Sequence, residues 1–224
     1  MIFNYSSPTL EADYKTHFKE TNMTSETSPT RLVGNKAPEW TTDAVVGSDF
    51  KTLSSSDLKG KWKVLFFYPL DFTFVCPTEI VAYSEAAEQF KALGAEVLAC
   101  SIDSKFSHLA WTKTPRSEGG IGQVNFPILA DTTKKIARDY GVLIEDDGVA
   151  LRGLFIIDDE DVIQHATLNN LSVGRNPAET LRLLEAYQYT AKHGEVCPAG
   201  WSSGDDSMKP DVEGSKEWFG KNAK

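Results

Sequence analysis

Cysteine, histidine, positive charge and long apolar runs are all scarce in this chain, and each shortage excludes something. The 224 residues include three cysteines, Cys76, Cys100 and Cys197. They are odd in number and far apart, which does not make a disulfide scaffold. Four histidines, His17, His108, His165 and His193, stand at no ligand spacing from cysteine or from one another, so neither a metal nor another cofactor is expected. The net charge is -9, with no basic stripe to offset it, which argues against a nucleic-acid partner. No apolar run approaches the ~20 residues that span a bilayer. The first 30 residues lack the basic start and apolar core of a secretory signal, and Glu11, Asp13, Glu20 and Glu26 do not suit a transit peptide. A cytoplasmic location is expected, where the sequons at Asn4, Asn22 and Asn170 carry no meaning. Met23 offers an alternative start. Gly119-Gly120-Ile121-Gly122 is not a phosphate loop, because no Gly-Lys-Ser/Thr follows it. No internal repeat is present.

What is present is ordinary soluble-protein composition, 41% hydrophobic and 25% charged. The length suits one domain with additions, or two small ones, and is enough to bury a core. Residues 1–32 read as a flexible polar tail, 33–192 as the folded domain and 193–224 as a C-terminal arm. Strand-like runs fall at Ala44–Val46, Phe50–Leu53, Val64–Tyr68, Glu96–Ile102, Phe126–Leu129, Leu151–Ile157 and Val162–Leu168. Helical patterns follow Cys76 as far as Gly94 and occupy Phe106–Thr112 and Thr132–Tyr140. Another opens at Asn176-Pro177-Ala178-Glu179, an N-cap, an N1 proline and an N3 carboxylate. A strand–helix–strand unit predicts a parallel pair, and the polar link Asp158–Asp161 predicts a late hairpin. The fold class expected is α/β, a mixed central sheet with helices on both faces.

The densest stretch is Lys63–Phe90. A buried strand ends at Pro69, a short loop leads to Cys76, and Pro77 sits where a first helical residue should be. Ile80, Tyr83, Ala87 and Phe90 keep helical spacing. A helix start presents unpaired N–H groups and the positive end of the dipole, which favour an anion. The thiolate is the nucleophilic form of cysteine, so Cys76 is a candidate for cysteine chemistry, with an inert structural thiol as the bland alternative. Cys100 lies among Val97, Leu98 and Ile102 and reads as a small buried hydrophobe. Arg152 heads the apolar run LRGLFII, where a charge needs a reason; an ordinary ion pair is one.

FYPLDFTFVCPTE, SHLAWTKTPR, GGIG, RGLFIID and HGEVCPAGW closely resemble a typical two-cysteine peroxiredoxin, from about Val33 to the C-terminus. The resemblance implies a thioredoxin-like fold for residues 33–192 and thiol-dependent reduction of hydrogen peroxide and organic hydroperoxides. It makes Cys76 the peroxidatic cysteine, which attacks peroxide and becomes a sulfenic acid. By the same analogy Thr73 hydrogen-bonds the substrate, Arg152 holds the thiolate and polarises the peroxide, and Pro69 shields the thiolate from water. Glu79 and Arg175 match residues that orient the arginine, although a helix N3 carboxylate and a turn arginine are the plain readings. Cys197, otherwise a free surface thiol, becomes the resolving cysteine of the arm. It would form a disulfide with Cys76 of a partner subunit, and thioredoxin would reduce it. The working unit implied is a homodimer, often a decamer of five dimers. GGIG with a C-terminal Tyr-Phe marks sensitivity to overoxidation in such proteins; this chain has Trp218-Phe219, and sulfiredoxin repair is conditional on that sensitivity.

Two other classes compete. The assembly could act as a holdase chaperone or relay oxidation to partner thiols. A cysteine hydrolase ranks last, since it needs a histidine base and an orienting carboxylate.

Overall fold

Side-chain alternation along one central strand decides which helices lie on which face of the sheet. The computed structural model describes residues 31–222, so the expected polar tail, His17 and Met23 lie outside the described residues, apart from Arg31 and Leu32. In chain order come β1 (Thr41–Val46), β2 (Asp49–Ser54), β3 (Trp62–Phe67), α1 (Cys76–Glu85), α2 (Ala87–Ala92), β4 (Ala95–Ser101) and α3 (Lys105–Lys113). They are followed by β5 (Ile128–Ala130), α4 (Lys135–Asp139), β6 (Leu143–Ile144), β7 (Val149–Ala150), β8 (Arg152–Ile157), β9 (Ile163–Asn169), α5 (Pro177–His193) and α6 (Gly214–Asn222). The main sheet has the order β2-β1-β5-β4-β3-β8-β9. The pairs β3/β4 and β4/β5 are parallel; the others are antiparallel. This is the mixed sheet expected, with α1 and α2 as the crossover that a parallel pair requires.

In β3, Val64 and Phe66, with Tyr68 just beyond, point into one cluster with Ile80, Tyr83, Phe90 and Leu184. Leu65 and Phe67 point into the other, with Trp40, Ile136, Tyr140 and Phe155. Helices α1, α2 and α5 therefore cover one face and α4 the other, because successive strand residues face opposite ways. A strand buried on both sides has no polar alternation, which is why it reads as a continuous apolar run.

Four local differences from the sequence reading have identifiable geometry. The helix expected from Pro77 begins one residue earlier. Val75 already has helical dihedrals (φ -85°, ψ -37°), so Cys76 occupies the first helical position and Pro77 the second. Proline is tolerated there because the first-turn N–H groups lack intrahelical partners anyway. The same helix breaks at Ala86 (φ -84°, ψ -3°), letting Tyr83 and Phe90 stack with ring centroids 6.0 Å apart. Helix α4 is shorter than Thr132–Tyr140, since Asp131 accepts the Ala137 N–H at 2.8 Å and holds the preceding residues in a turn. The small β6–β7 hairpin escapes a periodicity reading, its strands being two residues each. By contrast, α5 has the expected termini: the Asn176 side chain accepts from the Ala178 N–H at 3.0 Å, and Gly194 closes the helix with φ 67°. None of the described helices is long and apolar enough to cross a membrane.

Partial burial on β9 pushes the His165 pKa below its ordinary 6.5, with Arg182 adding to and Glu179 opposing the shift. The unfolded chain then binds more protons just below pH 6.5 than the folded one. This contribution to stability is complete above that value and is lost as pH falls through it. Between about pH 7.5 and about pH 5.5, the urea midpoint of wild type should fall further than that of His165→Gln. Equal falls would contradict this assignment.

Candidate active site

The loop between β3 and α1 is held from below by a buried carboxylate. The Asp71 oxygens accept from Tyr68 Oη at 2.8 Å and Ser107 Oγ at 2.7 Å, and one lies 2.9 Å from His108 Nδ1. The Asp71 N–H in turn donates to Asp103 Oδ2 at 2.9 Å, which also accepts the Ser101 hydroxyl at 2.8 Å. Burial, with the neighbouring Asp71 charge, pushes the Asp103 carboxyl above its ordinary 3.8. His108 completes the anchor with Nε2 3.2 Å from the Leu129 carbonyl oxygen on β5. The loop above this cluster is strained at one point: Phe72 has φ 53°, a region that bulky residues rarely occupy. Its ring lies 5.9 Å from that of Trp111. Sequence reasoning missed this cluster. The legible signal was an aspartate in an otherwise apolar loop, together with Ser-His at the start of SHLAWTKTPR.

Above the anchor, the structure brings together Cys76, Glu79, Arg152 and Arg175. Cys76 is fully buried, and the hydrogen bond to its sulfur comes from Arg152 Nη1 at 3.3 Å. The same nitrogen donates to Glu79 Oε2 at 2.6 Å, and Arg152 Nε donates to the Leu171 carbonyl at 2.7 Å. The other Glu79 oxygen accepts from Arg175 twice, from the backbone N–H at 2.8 Å and from Nε at 2.7 Å. Arg175 Nη1 is tied to the Phe67 and Gly153 carbonyls at 2.8 and 2.6 Å, and its guanidinium lies 5.1 Å from the Phe66 ring centre. Gly174 lets this segment come close: a Cβ there would sit 3.3 Å from Glu79 Cγ. All three ionic side chains are under 5% exposed. Two guanidiniums around one carboxylate leave one excess positive charge in a site of low dielectric, and the Arg152 nitrogen that Glu79 holds also faces the sulfur.

The other anticipated residues are placed as follows. Pro69 is buried two residues past the end of β3, and Thr73 is half-buried in the loop. The Thr73 hydroxyl donates to the Leu70 carbonyl at 2.9 Å, so its proton is engaged and its lone pairs are what it offers a ligand. Cys197 is half-buried in the segment after α5, its sulfur 3.7 Å from the Ala186 carbonyl oxygen of that helix, and is not bonded to Cys76 within the chain. Cys100 is fully buried on β4, where burial pushes its thiol well above the ordinary value. In the GGIG loop, Ile121 is buried and Gly119 accepts the Trp111 indole N–H at 2.8 Å. The Trp218 indole donates to the Asp206 carbonyl at 3.2 Å. A cavity of about 490 Å³ between Trp40, Leu58, Lys63, Leu65 and Leu98 includes none of these residues; it lies towards the start of β3, away from the end that leads to Cys76.

The AhpC/TSA family model matches residues 33–166, and a model described as the C-terminal domain of 1-Cys peroxiredoxin matches residues 186–221. Peroxiredoxin-2 of Bos taurus is 59% identical over 189 residues, which cover 84% of this chain and 95% of that protein. Peroxiredoxin-1 of Gallus gallus is 54% identical over 191 residues, covering 85% of this chain and 96% of that protein. Among solved structures, the reduced 2-Cys peroxiredoxin of Plasmodium vivax aligns with a TM-score of 0.83 at 45% identity, over 85% of this chain and 99% of that one. The thioredoxin-like fold expected from the sequence is the fold of these neighbours. The second family model takes its description from one-cysteine proteins, yet its matched stretch here contains Cys197.

Glu79→Gln tests the geometry directly. Removing the charge leaves two buried guanidiniums without their shared partner, at a cost of about 3–5 kcal/mol in folding stability. With Arg152 no longer held against the sulfur, the rate constant for hydrogen peroxide should fall by about 100-fold. Stopped-flow kinetics and urea titration measure the two effects, and unchanged values of both would contradict the assigned role.

Proposed function

This chain belongs to the AhpC/TSA family of peroxiredoxins, and we propose from that premise that its peroxidase cycle runs through Cys76 and Cys197. Family membership makes it a thiol-dependent peroxidase. The observation that carries the assignment to Cys76 is the hydrogen bond from Arg152 Nη1 to a sulfur at the start of α1.

In the first step the Cys76 thiolate attacks one oxygen of the hydroperoxide. An S–O bond forms, the O–O bond breaks, and the departing oxygen takes up a proton to leave as water or an alcohol. Charge develops on that oxygen, so fixed donors are worth most there, and Arg152 supplies them. Thr73, its own proton given to Leu70, accepts from the peroxide O–H and turns the substrate. Pro69 covers the thiolate, while Glu79 and Arg175 keep Arg152 in place. A histidine base is not what contacts the sulfur, which disfavours a cysteine hydrolase.

In the second step the Cys197 thiolate of a partner subunit attacks the sulfenic acid. The S–S bond forms and hydroxide leaves from sulfur as water after protonation. Two cysteines so far apart in sequence are not a CxxC pair, so an external dithiol, thioredoxin, restores both thiols. A homodimer is the working unit. Assembly into a decamer is supported by Phe50 and Phe106, 41% and 66% exposed, whose rings pack 5.2 Å apart beside Lys105. Three unpaired cysteines suit the reducing cytoplasm. Overoxidation of Cys76 belongs to the same reading through the GGIG loop, and sulfiredoxin is a repair partner only where overoxidation occurs.

One equivalent of hydrogen peroxide, followed by a non-reducing gel, distinguishes the steps. Wild type should run as a covalent dimer, and Cys76→Ser and Cys197→Ser as monomers. A dimer band that survives Cys197→Ser contradicts the two-cysteine cycle.

A further inference from the structure

The loop that carries Cys197 is pinned at several points to α5. Val196 and Met208 exchange backbone hydrogen bonds at 2.8 and 2.9 Å, closing the segment between them into a loop. Trp201 plugs it: the ring is 3% exposed, lies 5.0 Å from the Tyr189 ring, and its indole N–H reaches the Asp205 carbonyl at 3.1 Å. Tyr189 Oη also meets Ser207 Oγ at 2.9 Å, and Ser207 donates to Glu195. On α5 beside this loop stands Arg182. Arg182 grips Glu179 with two parallel bonds, Nε at 2.8 Å and Nη2 at 2.7 Å, and spends its remaining terminal nitrogen, Nη1, on the Trp201 carbonyl. Ala186, whose carbonyl faces the Cys197 sulfur, is one helical turn further along α5. The Cys197 sulfur thus rests against α5 within range of the Arg182 charge.

We propose that Arg182 is a positioning residue for the resolving half-reaction, acting through Trp201 as the peg that holds the Cys197 loop on α5. This rests on the reading of Cys197 as the resolving cysteine. For the S–S bond to form, the Cys197 sulfur must leave the Ala186 carbonyl and reach a Cys76 sulfenic acid on another subunit, where the S–O bond breaks and water departs. While the peg is in place, the loop is held by a charge-assisted bond from a side chain that Glu179 already orients, so little entropy is lost in making it. Arg182 therefore sets how long the sulfenic acid waits before it is resolved.

The arginine exerts a second, opposite effect. Burial pushes the Cys197 thiol above its ordinary 9.0, and the nearby Arg182 charge pulls it back. Removing the arginine releases the loop but leaves less thiolate at neutral pH. The pair is partly exposed, so the electrostatic loss is screened to less than about fivefold. Freeing a hydrogen bond from a charged donor is worth about tenfold or more. Release therefore wins.

The test follows intrinsic fluorescence of the reduced full chain after mixing with hydrogen peroxide, where the first phase depends on peroxide concentration and the second does not. In Arg182→Met the second phase should be several-fold faster than in wild type; Arg182→Lys, which keeps a cation within reach of Trp201, should stay near wild type. On a Cys76→Ser background, iodoacetamide labelling of Cys197 should then show two changes in Arg182→Met: a higher plateau rate at alkaline pH and a midpoint moved to higher pH. A merely structural arginine would not move that midpoint. A second phase equal to or slower than wild type, or a midpoint that does not rise, overturns the proposal. If wild type itself forms no Cys76–Cys197 disulfide, the two-cysteine reading fails first and this inference falls with it.

Discussion

A single buried carboxylate, that of Glu79, is the interaction on which the rest of the site depends. One oxygen holds Arg152 against Cys76; the other holds Arg175 by backbone and side chain together. Buried charges are tolerated when they are paired and their remaining donors satisfied. Here Leu171, Phe67 and Gly153 supply backbone carbonyls for Arg152 Nε and Arg175 Nη1, while Arg175 Nη2 is buried without a partner. These carbonyls come from β3, from β8 and from the segment after β9, so the ion pairs tie two sheet strands and a following loop to the first turn of α1. A helix start alone would favour an anion at many cysteines. The Glu79–arginine arrangement is what points a fixed cation at this one.

The arrangement also constrains movement. Cys76 lies three residues from Glu79; the Thr78 and Glu79 N–H groups both reach the Val75 carbonyl, at 3.1 and 3.3 Å, and Pro77 has no N–H to offer. The end turn of a helix can open locally, whereas Glu79 is fastened on both sides. Unwinding that stops short of Glu79 moves the sulfur while leaving the arginines where they are. Below the loop, the Asp71 cluster fixes the other end. In the proposed cycle, order in the peroxide step and mobility in the disulfide step would thus fall to different residues of one turn.

Much of this was legible in the residues. Strand β3 and the parallel crossover follow from an apolar run and a helical period, and the α5 caps from Asn176, Pro177 and Gly194. The position of Cys76 at a helix start was readable, but its register was not, since Val75 had no capping side chain to mark the boundary. Pairing of Arg152 with Glu79 could be anticipated only through resemblance: the two are far apart in the chain, and nothing local to either residue names its partner. The Asp71–His108 anchor was hidden for the same reason. Its members come from three separate segments, and each residue alone reads as an ordinary loop or helix polar group. Nothing in the residues around Arg182 names its partner in the arm, the Trp201 carbonyl. Short-range pattern shows elements; long-range polar pairing has to be seen.

We propose Cys76, held by Arg152 and Glu79, as the thiol that reacts with peroxide. Stopped-flow mixing of the reduced chain with hydrogen peroxide tests it most directly. A second-order rate constant roughly a thousandfold or more above that of free cysteine, and lost in Cys76→Ser, is the result this account predicts. Reaction no faster than free cysteine would contradict it.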